Sequence, residues 1–353
     1  MPRIDCLIVG QGLAGSLLAW SLMQQGLAVH IIDNQHKHSS SVVAAGLVNP
    51  VTGKRLHKAD DTEHCLDSAI SLYEKLAVFF KQEFYHPLEM MRLFTSPGQQ
   101  SALEKRLHEP GYTQYLGTPI SAQASLKNLR NTHGGVYQKM TGYLDIPALL
   151  TCLKDYFLQQ HVLQETQLAY SDLAVTGSGI TWREISADHC IFCEGYQATG
   201  NPWFEWLPFQ LAKGEILTIE SDQIPSEFII NRGNWLVPMH QGVFRTGSTN
   251  QWEFKNDQAT QEGRQQVEAN LQRLFSESPG YQVTDHQAGI RPATRDKKPF
   301  IGFHPEIRQL AIFNGFGARG SMTIPFYAGL FSRVLSAKQA LPDDVDIQRY
   351  FTA

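Results

Sequence analysis

No stretch of this chain stays apolar for the roughly twenty residues that a bilayer crossing needs, so no transmembrane segment is expected. Neither sign of charge dominates. Thirty Lys and Arg against 34 Asp and Glu leave a formal net charge of −4, which gives no reason to expect a polyanion, and nucleic acid is not expected as a partner. Cysteine is sparse. The five, at positions 6, 65, 152, 190 and 193, are odd in number and scattered, which argues against a disulfide framework. The one close pair, Cys190-Ile191-Phe192-Cys193, falls in a strand-like run, where residues three apart face opposite sides. Neither a redox pair nor a zinc site is expected there, and no metal is assigned. Internal repeats and low-complexity segments are absent as well.

What is present is an ordinary globular composition, 42% hydrophobic and 18% charged. A chain of 353 residues exceeds what one core usually serves, so two domains are expected. The first twenty residues resemble a leader, but they contain a glycine turn and lead into a strand that ends on an acid. A nucleotide-binding unit explains them better, and the expected location is the cytoplasm.

That unit begins at Cys6-Leu7-Ile8-Val9-Gly10-Gln11-Gly12-Leu13-Ala14-Gly15, an apolar strand, a G-x-G-x-x-G turn and the start of a helix. Gly10 permits the tight turn, Gly12 lets a pyrophosphate approach the backbone, and Gly15 lets helix and strand pack closely. Leu17, Leu18 and Leu22 continue at helical spacing, Gly26 ends the helix, and residues 28–32 read as a second strand. Asp33 closes that strand, where a carboxylate can accept hydrogen bonds from a ribose.

Further along, a polar loop is read at 34–41 and a run of small residues at 42–50. A helix is read at 60–80, with Cys65, Ala69, Leu72, Leu76 and Phe79 on its apolar face. Texture then changes to short alternating pieces with a helix at 99–108 and a strand edge at 136–138. Pro147 opens another helix. Strands follow near 166–170, 173–175, 179–182 and 189–194, the last ending at Glu194-Gly195. A sheet-like region begins at 211–220, a hairpin is read at 235–246 and a helix at 261–275. A strand at 309–314 runs into a second glycine-rich turn, residues 315–322, and a final helix. The fold class expected is α/β and α+β. A Rossmann-like nucleotide-binding domain (1–80, 142–208 and 288–353) is interleaved with an antiparallel-sheet domain (81–141 and 209–287).

The opening fingerprint, the Ala45-Gly46 run, the block Gly289-Ile290-Arg291-Pro292 with Asp296 and Pro299-Phe300-Ile301-Gly302, and the last glycine turn occur here in that order. In this the chain resembles the D-amino-acid oxidase superfamily of FAD-dependent oxidoreductases. It looks most like glycine oxidase and the oxidoreductase half of the bifunctional tRNA wobble-uridine modification enzyme. The resemblance makes the Rossmann-like domain the FAD-binding domain and the antiparallel-sheet domain the substrate domain. The resemblance implies that Gly10, Gly12, Leu13, Ala14, Gly15, Asp33 and Asn34 hold the pyrophosphate and ribose of FAD. Ser40, Ser41, Ala45, Gly46 and Leu47 match the loop beside the flavin. Leu168 and Gly195 are assigned to the cofactor site, Leu168 through its backbone at the adenine. Phe316, Gly317, Ala318, Arg319, Gly320, Ser321 and Met322 match the last turn, whose N–H groups face the flavin's pyrimidine edge. Donors there stabilise negative charge on a reduced flavin.

Arg291 matches the arginine that clamps a substrate carboxylate through two parallel bonds. Trp235 matches an aromatic that lines the pocket, although a core tryptophan explains it equally well. Arg319 sits one residue past the place, here Ala318, where glycine oxidase carries a second substrate arginine. Arg295 reads as structural and His240 as a solvated turn residue. The last turn lacks a cysteine, so FAD is expected to be non-covalent. The activity implied is oxidation of the C–N bond of a small amine or amino acid carrying a carboxylate. Hydride passes to flavin N5, the imine is hydrolysed, and no side-chain base is required. The acceptor of the electrons stays open among oxygen, a quinone and a protein. Two alternatives stand beside this reading: action on a tRNA-borne carboxymethylaminomethyl group, and flavin binding without turnover. A pyridine-nucleotide-linked flavoprotein is set aside because no second G-x-G-x-x-G follows a strand of its own.

Overall fold

The computed structural model describes residues 3–35, 39–336 and 339–351, so residues 36–38 of the loop expected at 34–41 lie outside the described residues. The chain forms two compact units. One comprises Met1–Val42, Ile146–Ala212 and Ile290–Ala353, and the other Val43–Asp145 and Lys213–Gly289.

The first unit is α/β. Its principal elements are β1 (Arg3–Val9), α1 (Leu13–Gln24), β2 (Val29–Asp33), β3 (Leu163–Glu165), β4 (Ile185–Phe192), β5 (Leu310–Asn314) and α2 (Gly320–Leu335). The five strands are parallel, in the order β3-β2-β1-β4-β5. Cys6, Leu7, Ile8 and Val9 are all buried, as the unbroken apolar run of a central parallel strand requires. The first half of β4 pairs with the hairpin Leu173–Thr176 and Gly179–Trp182, and its second half with β5. Trp182, Phe192, Phe204, Phe300 and Ile312 fill the core beneath. α1 buries Leu17, Leu18 and Leu22, and the chain turns off at Gly26, whose φ of +78° suits glycine. It lies against α2, with Gln25 Nε2 donating to Ser332 Oγ at 2.7 Å. From β1 the chain moves to β2 on one side, while β4 lies on the other. The strand order therefore reverses at β1 and β4, beyond whose carboxyl ends open α/β sheets bind ligands.

The second unit is built on the larger part of an eight-stranded sheet. Its order is Gln282–Thr294, Phe209–Glu220, Val243–Gly247, Trp235–His240, Ile229–Asn231, Met90–Leu93, Gly135–Gln138 and Leu116–Ile120. A three-stranded sheet of Leu47–Val48, Gly142–Leu144 and Tyr85–Pro87 accompanies it. No helix among the described residues is long and apolar enough to cross a membrane.

Several local expectations change. Residues 43–80, placed by texture with the nucleotide domain, belong to the second unit. Residues 142–145 move with them. The reason is long-range packing: Leu47 and Tyr143 lie in one cluster with Met90, Ile229 and Val237, and Tyr73 of the helix Thr62–Phe80 packs on Tyr85 with ring centroids 6.1 Å apart. Phe79 of that helix is 51% exposed, so the buried stripe runs through Tyr73 instead. The strand expected at 166–170 is β3, a few residues earlier. Gly135–Gln138 has strands on both sides and is not an edge. The Arg291 block is the end of a 13-residue strand, which its prolines and charges had hidden.

Candidate functional site

At the carboxyl end of β1 the glycine turn leaves no space for side chains at two of its glycines. A Cβ on Gly10, whose φ is +101°, would lie 2.6 Å from the Cys193 carbonyl oxygen. One on Gly15 would lie 1.8 Å from the Gly10 carbonyl oxygen. Gly12 caps α1 in an extended conformation without a side-chain cap, and the intrahelical ladder starts with the Ser16 N–H on the Gly12 carbonyl at 2.9 Å. The Leu13 N–H donates to Ser41 Oγ at 3.1 Å, which brings the short helix Ser40–Val43 onto the turn. The Gln11 N–H donates to Asp33 Oδ1 at 2.7 Å, which ties the end of β2 to the same place. Ala14 and Asn34 are half-buried nearby in the chain. Glycine walls, a helix N-terminus without a side-chain cap and an acid at the end of the second strand fit a dinucleotide's pyrophosphate and ribose.

Across the sheet, Asn314 joins the expected residue Gly195 to the start of the last glycine turn. Its Nδ2 donates to the Gly195 carbonyl at 2.8 Å, and its Oδ1 accepts from the Gly315 N–H at 2.8 Å. The last glycine turn then bends back onto the arginine strand, where the Gly317 N–H donates to the Pro292 carbonyl at 3.2 Å. Arg291, the preceding residue, is half-buried, and desolvation pulls its guanidinium below the usual arginine range. Not every N–H of this turn points outward. Those of Arg319 and Met322 bond to the carbonyls of Phe316 and Arg319, at 3.2 and 3.0 Å. Ala318 is exposed, Ser321 and Met322 are buried, and Phe316 packs on Phe313 and Tyr327.

Leu168 is half-buried against the first unit's core, two residues before Tyr170. The Tyr170 hydroxyl donates to Glu194 Oε1 and Asn201 Nδ2 to Glu194 Oε2, both at 2.9 Å. Burial raises the Glu194 carboxyl to about 7. Glu194 read in the sequence only as the end of a strand.

In the second unit, Ala45 and Gly46 are buried. A Cβ on Gly46, with φ of +69°, would lie 1.9 Å from the Leu144 carbonyl oxygen. Arg245 holds the same segment from another side. Its Nη1 donates to the Ala44 carbonyl at 2.9 Å and its Nη2 to the Val43 carbonyl at 2.6 Å. Nothing in the sequence marked Arg245, because one arginine in a hairpin strand looks like a solvent-facing residue. Trp235 and Leu47 pack on one cluster of Met90, Tyr143, Ile229 and Val237, which brings these two predicted residues together. His240 is exposed at its hairpin. Cys190 and Cys193 are buried free thiols, pushed well up by burial.

Comparison with known proteins adds the following. Residues 5–333 match the model of a family described as FAD dependent oxidoreductase. The tRNA 5-methylaminomethyl-2-thiouridine biosynthesis bifunctional protein MnmC of Marinobacter nauticus is 22% identical over 347 residues, covering 91% of this chain and 54% of that protein. Glycine oxidase of Bacillus subtilis is 27% identical over 176 residues, 48% of this chain and 45% of that one. Among solved structures, iminodiacetate oxidase from Chelativorans sp. BNC1 matches with a TM-score of 0.83 at 20% identity over 98% of each chain, a likeness of fold. The chain spans about half the length of the curated relatives it matches.

Proposed function

This chain belongs to the family of FAD-dependent oxidoreductases, and from that premise we propose that it oxidises the C–N bond of a small amine or amino acid carrying a carboxylate. The observation that carries the reading is the bond from the Gly317 N–H to the Pro292 carbonyl. It joins the strand end that bears Arg291 to the last glycine turn, so one local structure presents both.

FAD is held without a covalent bond. The N-terminus of α1, with Gly10, Gly12, Leu13, Ala14 and Gly15, takes the pyrophosphate, and Asp33 with Asn34 takes the ribose. Leu168 and Gly195 serve the adenosine side. Ser40, Ser41, Ala45, Gly46 and Leu47 form the loop along the flavin. At the last turn the backbone donors of Ala318 and Gly320 serve the cofactor, while Gly317, Arg319 and Met322 use theirs within the chain and contribute shape. When bound, FAD supplies the two-electron acceptor.

Arg291 binds the substrate carboxylate through two charge-assisted bonds, strengthened by the partial desolvation of its guanidinium. Trp235 and Arg319 are assigned further substrate contacts. Orientation of the C–H bond next to the carboxylate is the chain's main contribution, and no side-chain base is needed. The names of two relatives, glycine oxidase and iminodiacetate oxidase, support this class, since glycine and iminodiacetate share an N–CH2–COO⁻ group. A second reading, a tRNA-borne amine, is favoured by the match to MnmC along 91% of this chain.

The test is anaerobic bleaching of bound flavin by glycine, sarcosine, iminodiacetate, D-amino acids, proline and a carboxymethylaminomethyl-uridine nucleoside, with Arg291→Ala alongside. Bleaching by a small amino acid that is lost in the variant supports the proposal, and bleaching by the nucleoside alone supports the second reading. Retained FAD that nothing reduces points to flavin binding without turnover. Reoxidation by oxygen or by a quinone then identifies the electron acceptor.

A further inference from the structure

Past the carboxyl end of β4 lies a half-buried acid that the reading above leaves unused. Glu194 follows Cys193, whose N–H donates to the Val9 carbonyl of β1 at 2.8 Å. Its Cα would lie 3.5 Å from a Cβ on Gly10, so its backbone abuts the first glycine of the nucleotide turn. Its carboxyl accepts from Tyr170 on the segment that follows Leu168 and from Asn201 at the end of the turn Gly195–Gly200. Asn201 in turn accepts from the Trp203 N–H at 3.0 Å, and Gly195 is held by Asn314. One carboxyl thus ties together the segments that flank the sheet's switch point on this side.

We propose that Glu194 is a proton-linked positioning residue of the FAD site: its carboxyl holds the segments bearing Leu168 and Gly195 at the end of β4, and FAD binding draws a proton onto it. The inference rests on the FAD-binding part of the reading above and not on the substrate.

The chemistry follows from what surrounds the carboxyl. Both donors are neutral, and no Lys, Arg or His among the described residues forms an ion pair with it. An acid in that position loses hydration without gaining a counter-charge, so its neutral form is favoured and it titrates near 7. The other titratable groups facing it are Tyr170 on its own segment, Cys190 on β4 and Cys193 just past the end of that strand. Burial pushes all three up, and they stay neutral between pH 6 and 8. Asn314 and Gly315, from the end of β5, are uncharged, and Asp33 lies one strand further away, at the end of β2. A pyrophosphate placed at the α1 N-terminus is anionic throughout that range. It disfavours a carboxylate nearby and raises the acid's titration further. By linkage, affinity for FAD is greatest below the titration of the free protein and falls as pH rises through it.

The experiment is titration of the apoprotein with FAD by flavin fluorescence from pH 5.5 to 8.5, with circular dichroism to follow folding. The Kd is expected to rise about three- to tenfold from pH 6 to pH 8, since one proton changes affinity by at most about tenfold per pH unit. Glu194→Gln is expected to flatten the profile near its low-pH value. Tyr170→Phe removes a donor to the carboxylate and is expected to move the rise to higher pH. Calorimetry in two buffers of different ionisation enthalpy should show proton uptake near pH 7. A flat wild-type profile, or an unchanged slope in Glu194→Gln, overturns the inference. Should Glu194→Gln misfold, an unshifted profile in Tyr170→Phe overturns it equally. If no FAD binds at any pH, the FAD-binding reading itself has failed.

Discussion

The backbone N–H of Gln11 and the carboxylate of Asp33 meet at 2.7 Å, across the gap between the ends of β1 and β2. Asp33 therefore has a structural task before any ligand arrives. It holds the glycine turn against the second strand, and under the proposal above the same carboxylate also takes the ribose.

Replacing Asp33 with Ala should weaken FAD binding by at least tenfold. Hydrogen bonds to charged groups contribute about 1.5–3 kcal/mol, and here both the tether and the proposed ribose contact are lost. Asp33→Asn keeps an acceptor and should fall between the two. Equilibrium release of flavin on dilution measures both, and equal affinity in all three proteins would remove Asp33 from the site.

Gly15→Ala should abolish FAD retention and lower thermal stability, because the added carbon would lie 1.8 Å from the backbone oxygen of Gly10. Gly177→Ala, where nothing lies within 4 Å, is the matched control and should leave both unchanged. A Gly15→Ala protein that folds and binds FAD normally would show that the turn opens more freely than its packing indicates.

Arg245→Met leaves the half-buried carbonyls of Val43 and Ala44 without their donor. Each unsatisfied group costs about 1–3 kcal/mol, so a lower urea midpoint and faster hydrogen exchange across residues 43–47 are expected. Arg245→Lys keeps the charge but cannot reproduce the fork, and should recover only part of the loss. Unchanged exchange in that segment would show that Gly46 and its strand pairing suffice to hold it.

Glu215 has no exposed surface and bonds to His286 Nε2 at 2.8 Å and to the Thr260 N–H and hydroxyl at 2.9 and 2.8 Å, with Lys213 Nζ 3.4 Å away. Removing one partner of such a pair costs about 3–5 kcal/mol, because the other charge stays buried alone. Glu215→Ala should therefore destabilise the protein by that order in urea melts. The double variant Glu215→Leu, Lys213→Met should recover much of it. A loss below about 1 kcal/mol for the single variant would mean that water reaches the site.

The nucleotide turn was legible in the sequence because its physics is local. Gly10, Gly12, Gly15 and Asp33 lie within one β-α-β unit, where glycine spacing, an apolar run and helical periodicity act over a few residues. The last glycine turn and the hairpin at Trp235 were legible for the same reason. Arg291 was recognised only through its family block, since the 13-residue strand beneath it breaks the usual composition of strands.

The rest was decided by partners distant in sequence. Residues 43–80 belong to the second unit because Leu47 packs on the cluster of Met90, Ile229 and Val237, and Tyr73 packs on Tyr85. Arg245 has its place because the carbonyls of Val43 and Ala44, about two hundred residues earlier, need a donor. Glu194 is an ordinary acid in the chain, and its carboxyl is raised to about 7 only because the fold takes water from it, against the opposing pull of its bonds from Tyr170 and Asn201. Backbone conformation is set by neighbours in sequence, so a string of residues can announce a turn. Desolvation and long-range hydrogen bonding are set by whatever the fold brings alongside, and only the tertiary structure determines that.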